Sequence, residues 1–200
     1  QIGSLIFLRT DVWVVNRFVG AESAGEYAAI LPWAKLIRRG GSLISGVIAP
    51  MIFIYYARSQ VGQMVRVSNL AVRLLCVLLA IPISFMCVFS ADLLKLWLGT
   101  SFTHLAPLMV IMVCHLVINV AVIPLFAVRT AVNAVKWPAL MTFAMGGVNL
   151  ILAITLATYS SWGMYGVALA VAISLTLKNA VWEPIYMATF LRLPWHTFLR

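Results

Sequence analysis

The sequence predicts an all-α, polytopic membrane protein, and two observations carry that prediction. Of the 200 residues, 64% are hydrophobic and only 10% are charged, whereas about a quarter of the residues of a soluble domain are charged. The apolar runs are also far longer than the roughly 10 residues of a membrane β-strand, and they do not alternate in polarity. Because backbone groups in lipid must form their hydrogen bonds internally, we predict that these runs are helices.

Six stretches approach the roughly 20 apolar residues that a helix needs to cross a bilayer. They cover about 2–19, 27–57, 70–91, 105–128, 138–158 and 163–182. We predict one six-helix transmembrane unit over 1–183 and an interfacial tail on the cytoplasmic side over 184–200. The sequence starts inside an apolar run and without an initiator Met, so we expect it to be a piece of a longer protein.

The distribution of cations between the spans predicts their orientation. Lys and Arg are concentrated in connections 58–73 and 129–137 and in the C-terminal segment, whereas connections 20–26, 90–104 and 159–163 hold one cation between them. Cytoplasmic loops are the ones enriched in Lys and Arg, so we place both ends of the segment in the cytoplasm. The net charge is +9, but the sequence contains no soluble basic domain that could bind nucleic acid. Nucleic acid is therefore not an expected partner.

Three cations stand in the middle of the second predicted span, in the sequence "KLIRRGG". Lys35, Arg38, Arg39 and Ser42 follow the i, i+3, i+4, i+7 spacing of one helix face. A charge at the bilayer centre costs about 2.5 to 3.5 kcal/mol on an insertion scale. Such a face is consistent with the wall of a water-filled cavity or of an anion-binding site, and we predict a substrate-binding role for all four residues.

The first predicted span carries polar residues that match this face in depth. Arg9 and Asp11 lie about as far before the "GAESAG" turn as the cations lie after it, and Asn16 lies on the same helix stripe as Arg9. Asp11 is the one acid at this depth, so positive charge remains in surplus. We predict that the three residues line the same cavity, with Asp11 bracing Lys35 or Arg38 or facing a helix outside this sequence. The alternative is that the cations are structural and pair with acids outside this sequence.

Helix-bending residues flank the cations of the second span. Pro32, Gly40, Gly41 and Pro50 predict a hinge. The sequence shows no Walker A pattern, no GxSxG elbow and no His, Asp or Glu cluster with metal-ligand spacing. We therefore predict no catalytic residue, no metal and no cofactor, and a protein that is not an enzyme.

Four passages together resemble one family of membrane proteins. They are "TDVWVVNRFVGAESAGEYAAI" (10–30), "FSADLLKLWLGTSF" (89–102), "AVNAVKWPALMTFAMGGVNLILAITL" (131–156) and "GMYGVALAVAISL" (163–175). Their order resembles one six-helix lobe of the O-antigen or Wzx-type polysaccharide flippases. These belong to the polysaccharide transporter family of the multidrug/oligosaccharidyl-lipid/polysaccharide (MOP) exporter superfamily, which also contains the MATE-like multidrug exporters.

The resemblance implies a fold and a function. Members are V-shaped pairs of lobes in the bacterial inner membrane, and they move undecaprenyl-pyrophosphate-linked oligosaccharides by alternating access for O-antigen, capsule or exopolysaccharide export. By position, it implies that Arg9, Lys35, Arg38 and Arg39 line a cationic cavity. The expected partners are the lipid-linked oligosaccharide, membrane lipids, a missing N-terminal lobe or second copy, and the glycan polymerase machinery.

Two other functions remain open from the sequence. A cation-coupled small-molecule or multidrug exporter of the same superfamily would use intramembrane acids, and Asp11 is the clear candidate. A membrane-embedded glycan polymerase or ligase would need a large outer loop with catalytic residues, whereas the longest predicted outer connection is 90–104.

Overall fold

The computed structural model describes residues 2–160 and 162–198, with the backbone alone for residues 2–9. Within these ranges the chain is helical and contains no β-strand, which confirms the predicted all-α class. The helices are α1 (Ile2–Phe18), α2 (Ala21–Ala57), α3 (Val61–Val88), α4 (Ser90–Leu98), α5 (Ala106–Cys114), α6 (Leu116–Ala121), α7 (Ile123–Ala131), α8 (Lys136–Thr158), α9 (Gly163–Thr176) and α10 (Glu183–Phe190).

Five helical stretches of the described residues are long and apolar enough to cross a membrane. They are Ala21–Ala57, Val61–Val88, Thr100–Ala131, Lys136–Thr158 and Gly163–Phe190. The first predicted span corresponds to α1, which has 17 residues and lies at the lower limit of a spanning helix. The chain is thus a multi-pass membrane protein.

The observed helices extend two of the predicted segments. Helix α3 begins at Val61, so most of the predicted connection 58–73 belongs to this helix. The last helical stretch continues to Phe190, into the predicted tail. Met187 and Ala188 are fully buried there, because α10 packs against α7.

The helices pack as one bundle around a continuous apolar core. Helix α1 lies against α2, α8 and α9, while α2 lies against α3 and the α5–α7 stretch. The core contains fully buried side chains such as Val15, Ile30, Leu108 and Val167. In a membrane such contacts stabilise helix association through close van der Waals packing. At Gly166 a Cβ atom would lie 2.8 Å from Leu156 O, so this glycine allows α8 and α9 to approach closely.

Two helical stretches depart from regular α-helix at adjacent places. Thr100–Ala131 consists of a 3₁₀-helix (Thr100–Leu105) and then α5, α6 and α7, with interruptions at His115 and Val122. Between α9 and α10 the segment Leu177–Trp182 is π-helical, and it packs against α6. Interrupted and π-helical turns are common at functional sites, so this junction is a candidate for one.

Near the turn between α1 and α2, a polar contact joins three elements. His104 Nε2 lies 3.0 Å from Glu26 Oε1, and the Tyr165 hydroxyl donates a hydrogen bond of 3.5 Å to His104 O. Glu26 belongs to α2, His104 to the 3₁₀-helix and Tyr165 to α9. The contact ties these elements together at one end of the bundle.

Helix α2 runs without interruption through all four predicted hinge residues. Pro32, Gly40, Gly41 and Pro50 lie inside a single helix of 37 residues, and the hinge stays a prediction. The two glycines differ in their surroundings. A Cβ atom on Gly41 would overlap the Val120 side chain of α6, whereas the space around Gly40 is open.

Candidate functional site

The cations of α2 lie on a face that the bundle leaves partly open. Lys35 and Arg39 are exposed, and Arg38 is half-buried. Ser42 is exposed and donates a hydrogen bond of 2.8 Å to Arg38 O, one turn earlier in the same helix. Among the described residues, none of the three cations lies within 4.0 Å of a carboxylate oxygen. The surplus of positive charge is therefore not neutralised by direct ion pairs in this part of the chain.

A small cavity, which we call the aspartate cavity, joins α1 to this face. Its volume is about 40 Å³, which is room for no more than a water molecule or two. It is lined by Asp11, Tyr27, Leu31, Ala34, Lys35, Arg38, Met112, His115, Ala168 and Val171. The structure thus brings together Asp11, Lys35 and Arg38 around a space too small for a substrate.

Asp11 meets a helix that the sequence did not single out as its partner. Its carboxylate is buried and accepts a hydrogen bond of 3.4 Å from Asn149 Nδ2 of α8. It also attracts Arg38 electrostatically without forming a close ion pair. Asn149 is itself buried, and its Oδ1 has no hydrogen-bond partner within the described chain. Asp11 therefore lies between α8 on one side and the α2 cations on the other.

The other predicted site residues are placed as follows. Arg38 and Arg39 line an open groove of about 410 Å³ together with Ser42 and Leu43. Asn16 is exposed on α1 and is not among the lining residues of the cavities described here. Arg9 lies in α1, but its side chain falls outside the described residues. The structure therefore unites the α2 face with Asp11, and it leaves Asn16 apart.

A larger cavity, which we call the lysine cavity, lies on the other side of Arg38. Its volume is about 240 Å³, enough for several water molecules or a phosphate-sized group. It is lined by Arg38, Ser42, Asn119, Val120, Ile123, Phe126, Thr142, Leu175, Lys178 and Asn179. Two cations and several neutral hydrogen-bonding groups line it, and these lining residues include no acid.

A chain of buried side chains holds Lys178 at this cavity. The ammonium of Lys178 donates to Asn179 Oδ1 at 3.0 Å, and Asn179 Nδ2 donates to Asn119 Oδ1 at 3.1 Å. Asn119 Nδ2 then donates to Thr176 Oγ1 at 3.0 Å and to His115 O at 2.9 Å. In each of these bonds the residue nearer to Lys178 is the donor. The chain therefore anchors the ammonium to the π-helical segment and to the interrupted stretch Thr100–Ala131.

An ion pair is buried beside that chain. Arg129 Nη1 of α7 lies 3.0 Å from Glu183 Oε1 of α10, and the Glu183 side chain is fully buried. Phe126 lies beneath both cations, with its ring centroid 4.7 Å from Arg129 Cζ and 5.5 Å from Lys178 Nζ. Glu183 Oε2 and Arg129 Nε have no hydrogen-bond partner in the described chain. The Glu183 carboxylate thus lies near two cations, Arg129 and Lys178.

The sequence reasoning missed Lys178, Asn179, Arg129 and Glu183. It used the charges of Arg129 and Lys178 to place their segments in the cytoplasm, and it placed Glu183 at the border of the tail. One signal could have revealed the pair. Glu183 is the single acid after Asp92 in a sequence with a net charge of +9, and a lone acid at the end of an apolar run is a candidate partner for a buried cation.

Comparison with known proteins found one membrane protein of similar sequence. The chain is 39% identical to the uncharacterized membrane protein EpsK of Bacillus subtilis (strain 168). The similarity extends over 200 residues, which is all of this chain and 40% of EpsK. No family model matches the sequence, and no solved structure matches it. The similarity agrees with the multi-pass membrane architecture, and the chain spans less than half the length of this relative.

Proposed function

We propose that the chain is one lobe of a transporter that moves lipid-linked, pyrophosphate-bearing oligosaccharides across the bacterial inner membrane by alternating access. The observation that carries the proposal is the face of Lys35, Arg38 and Arg39. Three cations stand on one face of a 37-residue apolar helix without a close carboxylate among the described residues. Charges at this depth are costly unless they meet water or an opposite charge.

The chemistry of the proposed substrate matches this face. A pyrophosphate carries several oxyanions, and guanidinium groups bind such oxygens through paired hydrogen bonds. Further hydrogen-bonding capacity lies next to this face, because Arg38 also lines the lysine cavity, where Asn179 has a free amide N–H. The open groove beside Arg39 is the place where the remaining wall would stand. We propose that an N-terminal lobe or a second copy supplies that wall.

The proposal predicts that Arg38→Ala in the full-length parent abolishes surface glycan and that Arg39→Ala reduces it less. Arg38 is half-buried and lines both cavities, whereas Arg39 is exposed and lines neither of them. Loss of a charge-assisted hydrogen bond costs about 1.5 to 3 kcal/mol, or roughly a tenfold to hundredfold loss of affinity. Surface glycan would be measured by lectin binding to intact cells, with protein amount measured in parallel.

Arg58→Ala is the matched control, because Arg58 is an exposed cation that caps the same helix. It should leave surface glycan at the wild-type level. Wild-type glycan in the Arg38→Ala strain, with normal protein amount, would contradict the proposed role of the α2 face.

A second candidate function is supported by Asp11. This buried carboxylate has one amide as its described hydrogen-bond partner, and an intramembrane acid of this kind is typical of cation-coupled exporters. If Asp11→Asn abolishes efflux of cationic drugs while the strain keeps normal surface glycan, the exporter is the better description. Loss of glycan with unchanged drug resistance would favour the oligosaccharide transporter.

A further inference from the structure

The amine of Lys178 is a buried cation with few partners. Its side chain is 6% exposed, and of its three N–H groups one donates to Asn179 Oδ1. Of the described carboxylates none lies within 4.0 Å of the amine. Glu183, which attracts Lys178 electrostatically, is already paired with Arg129 at 3.0 Å. The ammonium therefore has hydrogen-bonding capacity left over, and it lines a cavity.

The surroundings of the lysine cavity favour an anion over a neutral guest. Lys178 stands on one wall and Arg38 on another, and no acid is among the described lining residues. Two like charges around one space repel each other, and an anion between them would remove that repulsion. A buried charge is stabilised by an opposite charge with good hydrogen-bond geometry.

The size and polarity of the cavity narrow the class of anion. Its volume of about 240 Å³ admits a phosphate-sized group, whereas the aspartate cavity of about 40 Å³ does not. Asn179 adds an amide with one N–H beyond its bond to Asn119, whereas the hydroxyls of Thr142 and Ser42 already donate to Pro138 O and Arg38 O. The Lys178 ammonium, the Arg38 guanidinium and this amide N–H together suit several oxygens on one group better than a halide.

We infer that the lysine cavity is a phosphate-type oxyanion site, in which Lys178 of the π-helical segment and Arg38 of α2 bind the anion together and the Asn179–Asn119 chain positions the Lys178 amine. This inference rests on the proposed function and adds to it a named anion subsite on the π-helical segment. The phosphate group belongs either to a lipid headgroup entering from the bilayer or to a free phosphate compound. The experiment separates these sources.

The test uses the full-length parent in phosphatidylcholine nanodiscs and follows thermal unfolding with inorganic pyrophosphate as the probe. Wild type should be stabilised by pyrophosphate. Lys178→Gln should raise the apparent dissociation constant at least about tenfold, and Lys178→Arg should weaken binding less because it keeps the charge. Lys136→Gln is the matched control, since Lys136 is an exposed lysine at the start of α8 and does not line the cavity.

A second arm replaces part of the phosphatidylcholine with phosphatidic acid. Stabilisation that depends on Lys178 in this arm alone identifies a lipid headgroup as the source, and stabilisation by pyrophosphate identifies a free oxyanion. Without ligand, Lys178→Gln should unfold at the wild-type temperature or above it, because a poorly partnered charge is removed. If that variant does not fold, Lys178→Met, which is neutral and of similar length, replaces it.

Three results would overturn the site. They are no stabilisation of wild type by either probe, stabilisation that Lys178→Gln leaves unchanged, or a lower unfolding temperature in that variant with unchanged affinity. The proposed function fails separately. If binding depends on Lys178 but the Arg38→Ala variant still exports glycan, the site is supported and the proposed function is wrong. If binding does not depend on Lys178 but the Arg38→Ala variant fails to export glycan, the site is wrong and the proposed function is supported.

Discussion

Removing the guanidinium of Arg129 by an Arg129→Ala substitution should lower the free energy of unfolding of the full-length protein by about 3 to 5 kcal/mol. The reason is the carboxylate that it leaves behind. Glu183 is fully buried, and Arg129 is its close partner at 3.0 Å. The loss should fall toward the lower end of that range, because Lys178 is near enough to attract the carboxylate and can replace part of the lost charge. SDS titration of the purified protein in mixed micelles would measure the change.

The neighbouring lysine makes this prediction sharper. Lys178→Gln alone should not lower the free energy of unfolding, since Glu183 keeps Arg129, but the double variant Arg129→Ala with Lys178→Gln should lose more than the sum of the single effects. Contacting charges in one network are expected to couple in this way. Lys136→Ala, which removes an exposed cation, should change the free energy of unfolding by no more than about 0.5 kcal/mol. Additive losses at positions 129 and 178 would show that the two cations do not share Glu183.

Gly41→Ala should destabilise the bundle by about 1 to 3 kcal/mol, the usual cost of an overpacked contact. Its new Cβ would overlap the Val120 side chain and lie 3.7 Å from Leu75 Cδ2, so α2 must move away from α6. Gly40→Ala is the matched control on the same helix. Its Cβ would meet open space, and alanine has the higher helix propensity, by about 1 kcal/mol. The same SDS titration should therefore find this variant as stable as wild type or more stable.

The glycine pair also separates packing from bending. Val120→Ala should relieve the overlap, so the double variant Gly41→Ala with Val120→Ala should regain part of the lost stability. If Gly41 serves only to admit Val120, glycan export should return with stability. If the helix must bend at the glycines, export should stay low in this double variant and in Gly40→Ala although both proteins are stable.

Hydropathy was enough to predict the class of fold, and charge spacing was enough to predict which residues share one face of α2. Long apolar runs can only be helices in lipid, and the i, i+3, i+4, i+7 spacing of Lys35, Arg38 and Ser42 requires a shared face. The contact between Asp11 and that face followed from matching depths across a short turn. Its hydrogen bond to Asn149 did not follow, because 138 residues separate the two in sequence and no local pattern links α1 to α8.

Regular α-helix spacing does not indicate that Lys178 lies near Glu183. Lys178 and Glu183 are five residues apart, which places them about 140° apart around an α-helix. The π-helical segment Leu177–Trp182 has i→i+5 bonding, which brings residues five apart closer to one face. The enrichment of cations in cytoplasmic loops also led us to interpret Arg129 and Lys178 as markers of topology. A cation at the end of a long apolar run can serve either purpose.

The most direct test of the central claim is the leaflet on which the lipid-linked glycan resides. An impermeant lectin applied to protoplasts or spheroplasts labels the outer leaflet, and labelling after lysis gives the total. For the wild-type parent the account predicts lectin labelling before lysis. For Arg38→Ala it predicts normal total glycan-lipid that becomes labelled only after lysis, because the cationic face no longer carries the pyrophosphate across. Equal labelling of intact wild-type and Arg38→Ala cells, at equal protein amount, would contradict it.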